Sequence, residues 1–177
     1  MLPELLVSDF AGTAMKEEGS VLTAYRTALT EFDIPFTEED LAARRGANKR
    51  AVFEELAGRV KPAQEVVDVA GKALARFEAT LRQEYETGEV REIEGAEAAF
   101  RQLKEAGVKL ALTSGFERSV VDLLVRRLRW ESLFDLVLAG SDAPAGRPAP
   151  YLIYRAMTDL RVHDAARVAV VGDTPLD

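Results

Sequence analysis

Leu5, Leu6 and Val7 form a short apolar run that passes through Ser8 to Asp9, and Phe10, Ala11, Gly12 and Thr13 follow at once. A strand of this kind ends in a loop that can hold a carboxylate at the edge of a sheet, where open parallel sheets bind their ligands. Asp9 is therefore the first candidate for chemistry. Gly12 lets the backbone approach an anion, and Thr13 adds a hydroxyl and an N–H. The same residues also describe an ordinary turn after a strand, so the rest of the chain has to separate the two readings.

From about residue 16 to 88 the apolar spacing is helical. Ser20 is expected to cap a helix over residues 20–32 that carries Val21, Leu22, Tyr25, Ala28, Leu29 and Phe32 on one face, and Asp33, Ile34 and Pro35 end it. Thr37 to Asp40 has the form of a capping box opening a short helix through residue 43. Asn48 can cap a helix over 49–56. Pro62 can start a long one with Val66, Val67, Leu74, Phe77 and Leu81 facing inward.

After Gly88 the pattern changes. Short apolar runs at 108–113, 133–139 and 167–171 alternate with predicted helices over 95–106, around Val120, Val121, Leu124 and Leu128, and over 150–160. Strands alternating with helices predict an α/β fold, a Rossmann-like parallel sheet. Residues 1–15 and 89–177 form its core, and the all-helical stretch 16–88 is an insertion that caps the carboxyl edge of the sheet.

Composition narrows the chemistry. With 177 residues the chain suits one domain carrying a modest insertion. Thirty acidic against 23 basic side chains give a formal charge of -7, which argues against nucleic acid or an anionic membrane as partner. The absence of cysteine removes disulfides, thiolate nucleophiles and zinc–cysteine sites. No apolar run approaches the roughly 18 residues needed to span a bilayer, and no basic-then-apolar leader is present, so a cytoplasmic protein is expected.

Each later strand is followed by residues suited to phosphate chemistry. Ser114 and Gly115 follow the second apolar run, and Ser114 could donate to a phosphoryl oxygen or simply cap a helix. Arg147, between Gly146 and Pro148, could balance charge as a nucleophile approaches phosphorus, or lie exposed. Asp173 and Asp177 follow the last run. With Asp9 they make an oxygen donor set suited to Mg²⁺, though carboxylates there could also cap a helix start.

Taken in order, Asp9 to Thr13, Ser114, Arg147, Asp173 and Asp177 resemble the motifs of the haloacid dehalogenase superfamily of hydrolases over nearly the whole chain. The resemblance implies that Asp9 is a nucleophile forming an aspartyl-phosphate. It also implies that Mg²⁺ is bound by Asp9, the Ala11 carbonyl and Asp173, with Asp177 supporting the metal site. Most phosphatases of the superfamily carry a second aspartate where Ala11 stands, and it protonates the leaving alkoxide. Loss of a general acid costs about 10²–10⁴ in rate.

Phosphonoacetaldehyde hydrolase is a branch with alanine at this position and a cap lysine that forms a Schiff base with the substrate aldehyde. Residues 37–46 followed by Lys49 are similar to its lysine loop, and Ala145 to Pro148 to its arginine loop. By the same resemblance Gly12, Thr13, Arg45, Gly46 and Gly115 would contact substrate. Lys49 also has a local rationale, since the positive end of a helix and the neighbouring Arg45 and Arg50 favour a neutral amine. Alternatively Arg44, Arg45, Lys49 and Arg50 are a solvated basic face. Three departures stand out: Val52 replaces the family's cap histidine, Arg45 its methionine, and the core usually continues past the last acidic motif, so Asp177 is expected to fray. His163 is expected to be an ordinary surface residue.

The function implied is hydrolysis of a small phosphorylated or phosphonylated metabolite with Mg²⁺. The alternatives are a phosphomonoesterase such as a phosphoglycolate phosphatase, and a non-catalytic binding module on the same fold. Related capped enzymes dimerise through the cap, so a homodimer is expected.

Overall fold

The computed structural model describes residues 2–44 and 46–177. Four parallel strands, β1 (Leu5–Asp9), β2 (Lys109–Thr113), β3 (Leu136–Leu138) and β4 (Val168–Val171), form a sheet in the order β3-β2-β1-β4. Leu5 pairs with both Lys109 and Val168, and Asp9 lies beside Thr113. The chain moves outward from β1 to β3 and then returns to the other side of β1 as β4. Strand order therefore reverses beside β1, which opens a crevice beyond its carboxyl end.

Alternation along β1 sorts its side chains between two cores. Leu5 and Val7 pack with Ala111, Leu138 and residues Leu152 and Ala156 of α7 (Tyr151–Asp159). Phe10, Leu110 and Leu112 join the larger core on the other face. There Trp130 packs against Phe10, Phe100 and Phe134, the last two edge-on, and its indole N–H donates to Glu97 at 2.8 Å. The apolar run at 133–139 yields only three strand residues because Leu133 and Phe134 turn into this aromatic cluster instead.

Between β1 and β2 come α1 (Ser20–Glu31), α2 (Glu38–Ala43), α3 (Lys49–Gly58), α4 (Ala63–Thr87) and α5 (Ala96–Glu105), and α6 (Arg118–Leu128) follows β2. The first four helices are the inserted helical unit. Tyr25, Phe53 and Phe77 bring α1, α3 and α4 together with ring centroids 4.7–5.6 Å apart. Arg127 of α6 ties the end of α4 to the core by donating to the carbonyls of Tyr85, Glu86 and Gly88 at 2.7, 2.8 and 2.9 Å, which have no partner within the helix.

The predicted capping box is present: the Thr37 hydroxyl accepts the Asp40 N–H and the Asp40 carboxylate accepts the Thr37 N–H, both at 3.0 Å. Asn48 caps α3 through the Ala51 N–H at 3.1 Å. Two expectations need correction. Ser20 is the first helical residue and not the cap; Gly19 takes that place with φ 105°, and Glu17 accepts the N–H groups of Gly19 and Val21. A carboxylate serves a helix start better than a hydroxyl because it also meets the positive end of the helix. Val67 is 68% exposed, since the stripe Leu81, Phe77, Leu74, Ala70 continues at helical spacing to Val66 and leaves Val67 about 100° away. His163 is exposed in the loop before β4, as expected. No described helix is long and apolar enough to cross a membrane.

Phe77 is 1% exposed at the centre of the helical unit. Replacing it with alanine is expected to lower stability by about 3–5 kcal/mol in chemical denaturation. A loss under about 1 kcal/mol would show that the three helices are not packed around this ring.

Candidate active site

Five loops meet beyond the carboxyl edge of the sheet. Asp9 ends β1 on the face shared with α7, and the loop before α7 carries Arg147 to it. The Arg147 guanidinium donates to Asp9 Oδ1 at 2.6 Å and also bonds Asp177 Oδ1. All three side chains are at most 10% exposed, so Arg147 is no surface arginine. Its buried Nε has no hydrogen-bond partner among the described residues. Asp177 Oδ2 accepts the N–H and hydroxyl of Thr174 at 3.0 and 2.7 Å. Both oxygens of Asp177 are thus engaged in holding the loop after β4 to Arg147.

Burial pushes the Asp9 carboxyl up to about 6; Arg147 opposes the shift and Asp177 adds to it. Burial also works against the Arg147 charge, but the two carboxylates outweigh it. Asp9, Asp173 and Asp177 each offer an oxygen within 4.8 Å of the others. Thr13 bridges the first two, its hydroxyl lying 3.5 Å from Asp9 Oδ2 and 3.4 Å from Asp173 Oδ1. Gly12 has φ +99°, and a Cβ at that position would collide with the Asp173 carboxylate. An all-oxygen donor set with room made for one carboxylate fits a hard divalent cation such as Mg²⁺.

The second strand brings Ser114, which is 2% exposed; its Oγ accepts the Phe116 N–H at 3.1 Å. The hydroxyl shapes the turn as a cap would, yet retains its proton to donate into the cavity it lines. From the helical unit comes the loop that joins α2 to α3. Gly46 has φ +77°, and a Cβ on it would lie 2.8 Å from the Thr174 hydroxyl. A Cβ on Gly115 would lie 3.2 Å from the Gly46 carbonyl. Inserted unit and core therefore touch through glycine backbones at the site itself. Arg45, a predicted substrate contact, lies outside the described residues.

Lys49 opens α3 and is 5% exposed. The solvated basic face is thereby excluded for this residue, whereas Arg50 is exposed and Arg44 pairs with Asp40 and Glu55. The Lys49 ammonium donates to the Ala47 carbonyl at 3.0 Å and sits 5.8 Å from the ring centres of both Tyr25 and Phe116. Burial pushes its pKa down to about 8, Arg147 acts in the same direction, and Asp9 and Glu17 oppose. Of the sources expected, Arg50 does not act on the amine and Arg45 lies outside the described residues; the cation that acts is Arg147, distant in the chain but lining the same cavity.

One cavity is lined by Asp9, Ala11, Gly12, Lys49, Ser114, Gly115, Arg147 and Asp173, with Gly46 and Thr174 at its edge. Glu17, Tyr25 and Phe116 line it too. None of these three was singled out from sequence as a site residue. Tyr25 reads as one more apolar-face position of α1, and Glu17 as part of a polar break; no residue pattern distinguishes them.

Lys49 binds fewer protons folded than unfolded between its folded value near 8 and the ordinary 10.5. Stability should therefore rise with pH through the lower part of that window, before tyrosines ionise, by about 1.4 kcal/mol per pH unit at most. Lys49→Met is expected to flatten that slope in denaturation series at pH 8 and 9.5; an unchanged slope would refute the buried ammonium. Gly12→Ala is expected to weaken Mg²⁺ binding at least tenfold by calorimetry while the fold persists, and unchanged affinity would show that Asp173 does not need the space.

A family model described as haloacid dehalogenase-like hydrolase matches residues 6–177. Phosphonoacetaldehyde hydrolase of Bacillus cereus (strain G9842) is 31% identical over 86 residues, which are 48% of this chain and 33% of that protein. The chain thus matches about a third of the length of that relative. A hydrolase from Pseudomonas syringae superposes with a TM-score of 0.84 at 14% identity, covering 98% of this chain and 77% of the other. CbbY from Rhodobacter sphaeroides, solved in complex with phosphate, gives 0.77 at 18% identity over 98% of this chain and 79% of the other. These two likenesses concern the fold. The family match spans nearly the entire chain, so the protein belongs to the haloacid dehalogenase-like hydrolases.

Proposed function

We propose that the chain hydrolyses the carbon–phosphorus bond of a small phosphonate that bears an aldehyde or ketone, phosphonoacetaldehyde being the first compound to test. The observation that carries this reading is a buried lysine amine facing the same cavity as Asp9 and Arg147, where position 11 offers only a methyl group. The partial likeness to phosphonoacetaldehyde hydrolases supports it. Residues 16–88 act as the cap and the remainder as the core.

Lys49 as the neutral amine adds to the carbonyl carbon, and with one proton taken up from solvent the oxygen leaves as water to give a protonated imine. Asp9 then attacks phosphorus. As the new P–O bond forms, the electron pair of the C–P bond moves into the imine and leaves an enamine. That leaving group needs no proton from position 11, so Ala11 is no handicap. Protonation of the enamine at carbon and addition of water to the imine return Lys49 and release the aldehyde. Water cleaves the aspartyl-phosphate, which restores Asp9 and releases phosphate.

Arg147 orients Asp9 and, with the Ser114 and Thr13 hydroxyls, offers donors to the phosphonate oxygens. Asp9, Asp173 and the Ala11 carbonyl would hold Mg²⁺, with Asp177 in support. When bound, the cation offsets the repulsion between a carboxylate and a phosphonate dianion. Gly12, Gly46 and Gly115 let the backbone close around the substrate.

Asp9→Asn is expected to abolish Mg²⁺-dependent phosphate release from phosphonoacetaldehyde, and Lys49→Ala to reduce it by at least 10³-fold. Borohydride should trap a covalent adduct at Lys49 in the wild type. Robust hydrolysis of a phosphate monoester that survives Lys49→Ala would replace this reading with a phosphomonoesterase. Binding without any Asp9-dependent turnover would replace it with a binding module.

A further inference from the structure

We infer that Glu17 is the counter-ion of the Lys49 nitrogen, a positioning residue that keeps the substrate imine protonated at the cap end of the cavity; this rests on the imine chemistry proposed above. The other acids of the cavity are already committed. Asp9 is paired with Arg147 at 2.6 Å, and Asp173 is bridged to Asp9 through Thr13 among the proposed metal donors. Around the cap end the walls are Val21, Leu22, Tyr25 and Leu41, which carry no charge. Glu17 is the remaining acid lining that cavity among the described residues.

Its placement is fixed. Oε1 accepts the Gly19 N–H at 3.1 Å and the Val21 N–H at 2.9 Å, which anchors the carboxylate at the start of α1. Oε2 has no hydrogen-bond partner among the described residues. Charges facing Lys49 are Arg147, which disfavours its cationic form, and Asp9 and Glu17, which favour it. The Tyr25 and Phe116 rings flank the nitrogen and leave it little water.

A counter-ion stabilises the ammonium and the protonated imine alike, so its removal shows where the neutral forms take over. Glu17→Gln keeps an acceptor for the two N–H groups but removes the charge, and an unchanged melting temperature would confirm that α1 still starts correctly. With phosphonoacetaldehyde and cyanoborohydride, the alkaline limb of adduct formation is expected to move about one pH unit lower. Adduct yield at pH 9 would then fall roughly tenfold, with yield at pH 7 within about twofold. Overlapping profiles for Glu17→Gln and wild type overturn the inference.

NMR titration of the ¹⁵N-labelled Lys49 amine without any carbonyl compound separates the two possible failures. A midpoint lowered in Glu17→Gln, with no adduct in either protein, ends the imine chemistry and leaves Glu17 as partner of the free amine only. An unchanged midpoint ends the role of Glu17 whether or not the imine forms.

Discussion

A buried carboxylate must be offset by a cation, and here the requirement is met by Arg147 on Asp9. Alternation along β1 sends Asp9 to the same face as Leu5 and Val7, the face covered by α7, so the loop entering α7 is the segment that can reach it. Arg147 then draws in Asp177, and through Thr174 the whole loop after β4. One guanidinium thereby fixes three loops that are far apart in sequence. Removal of either partner from such a pair leaves an uncompensated buried charge, which is far more costly than never having built the pair.

The inserted helices meet this centre through backbone. Gly46 lies against Thr174, and Gly115 against the Gly46 and Ala47 carbonyls, at distances a Cβ would violate or crowd. Such an approach carries the first residue of α3 into the cavity, and Lys49 is buried as a result. Arg127 holds the end of α4 to the core, so the helical unit is fastened there as well as at the site. The cavity is in this sense a product of closure: two of its chemically distinctive residues, Glu17 and Lys49, come from outside the sheet.

Opposed shifts within one cavity give the centre its chemical character. Burial raises Asp9 and lowers Lys49, and Arg147 acts on both, favouring the anion of one and the neutral amine of the other. The same arginine thus favours the ionised carboxylate and the neutral amine that the proposed chemistry requires. Under the proposed reading Ala11 fits as well, since a second acid beside Asp9 would add negative charge where a phosphonate would enter.

The order of strands and helices was legible from residues because periodicity is a local property: runs such as 108–113, the Thr37–Asp40 box and the Asn48 cap each act within one turn or one strand. Motif residues Asp9, Ser114, Arg147 and Asp173 were legible because each follows a strand, and a parallel sheet gathers strand ends at one rim. Helix phase erred where it depended on neighbours, as at Val67, and the cap of α1 was misplaced because Glu17 reaches it from two residues upstream. Sequence by itself thus determined the α/β class and the acids and arginine of the rim. Only the tertiary structure decided that Lys49 is buried and not solvated, that burial and then Arg147 press on its charge, and that Glu17 and Tyr25 share its cavity. The physical reason is that desolvation and Coulomb coupling depend on distance in space, which closure of the helices over the sheet alone establishes.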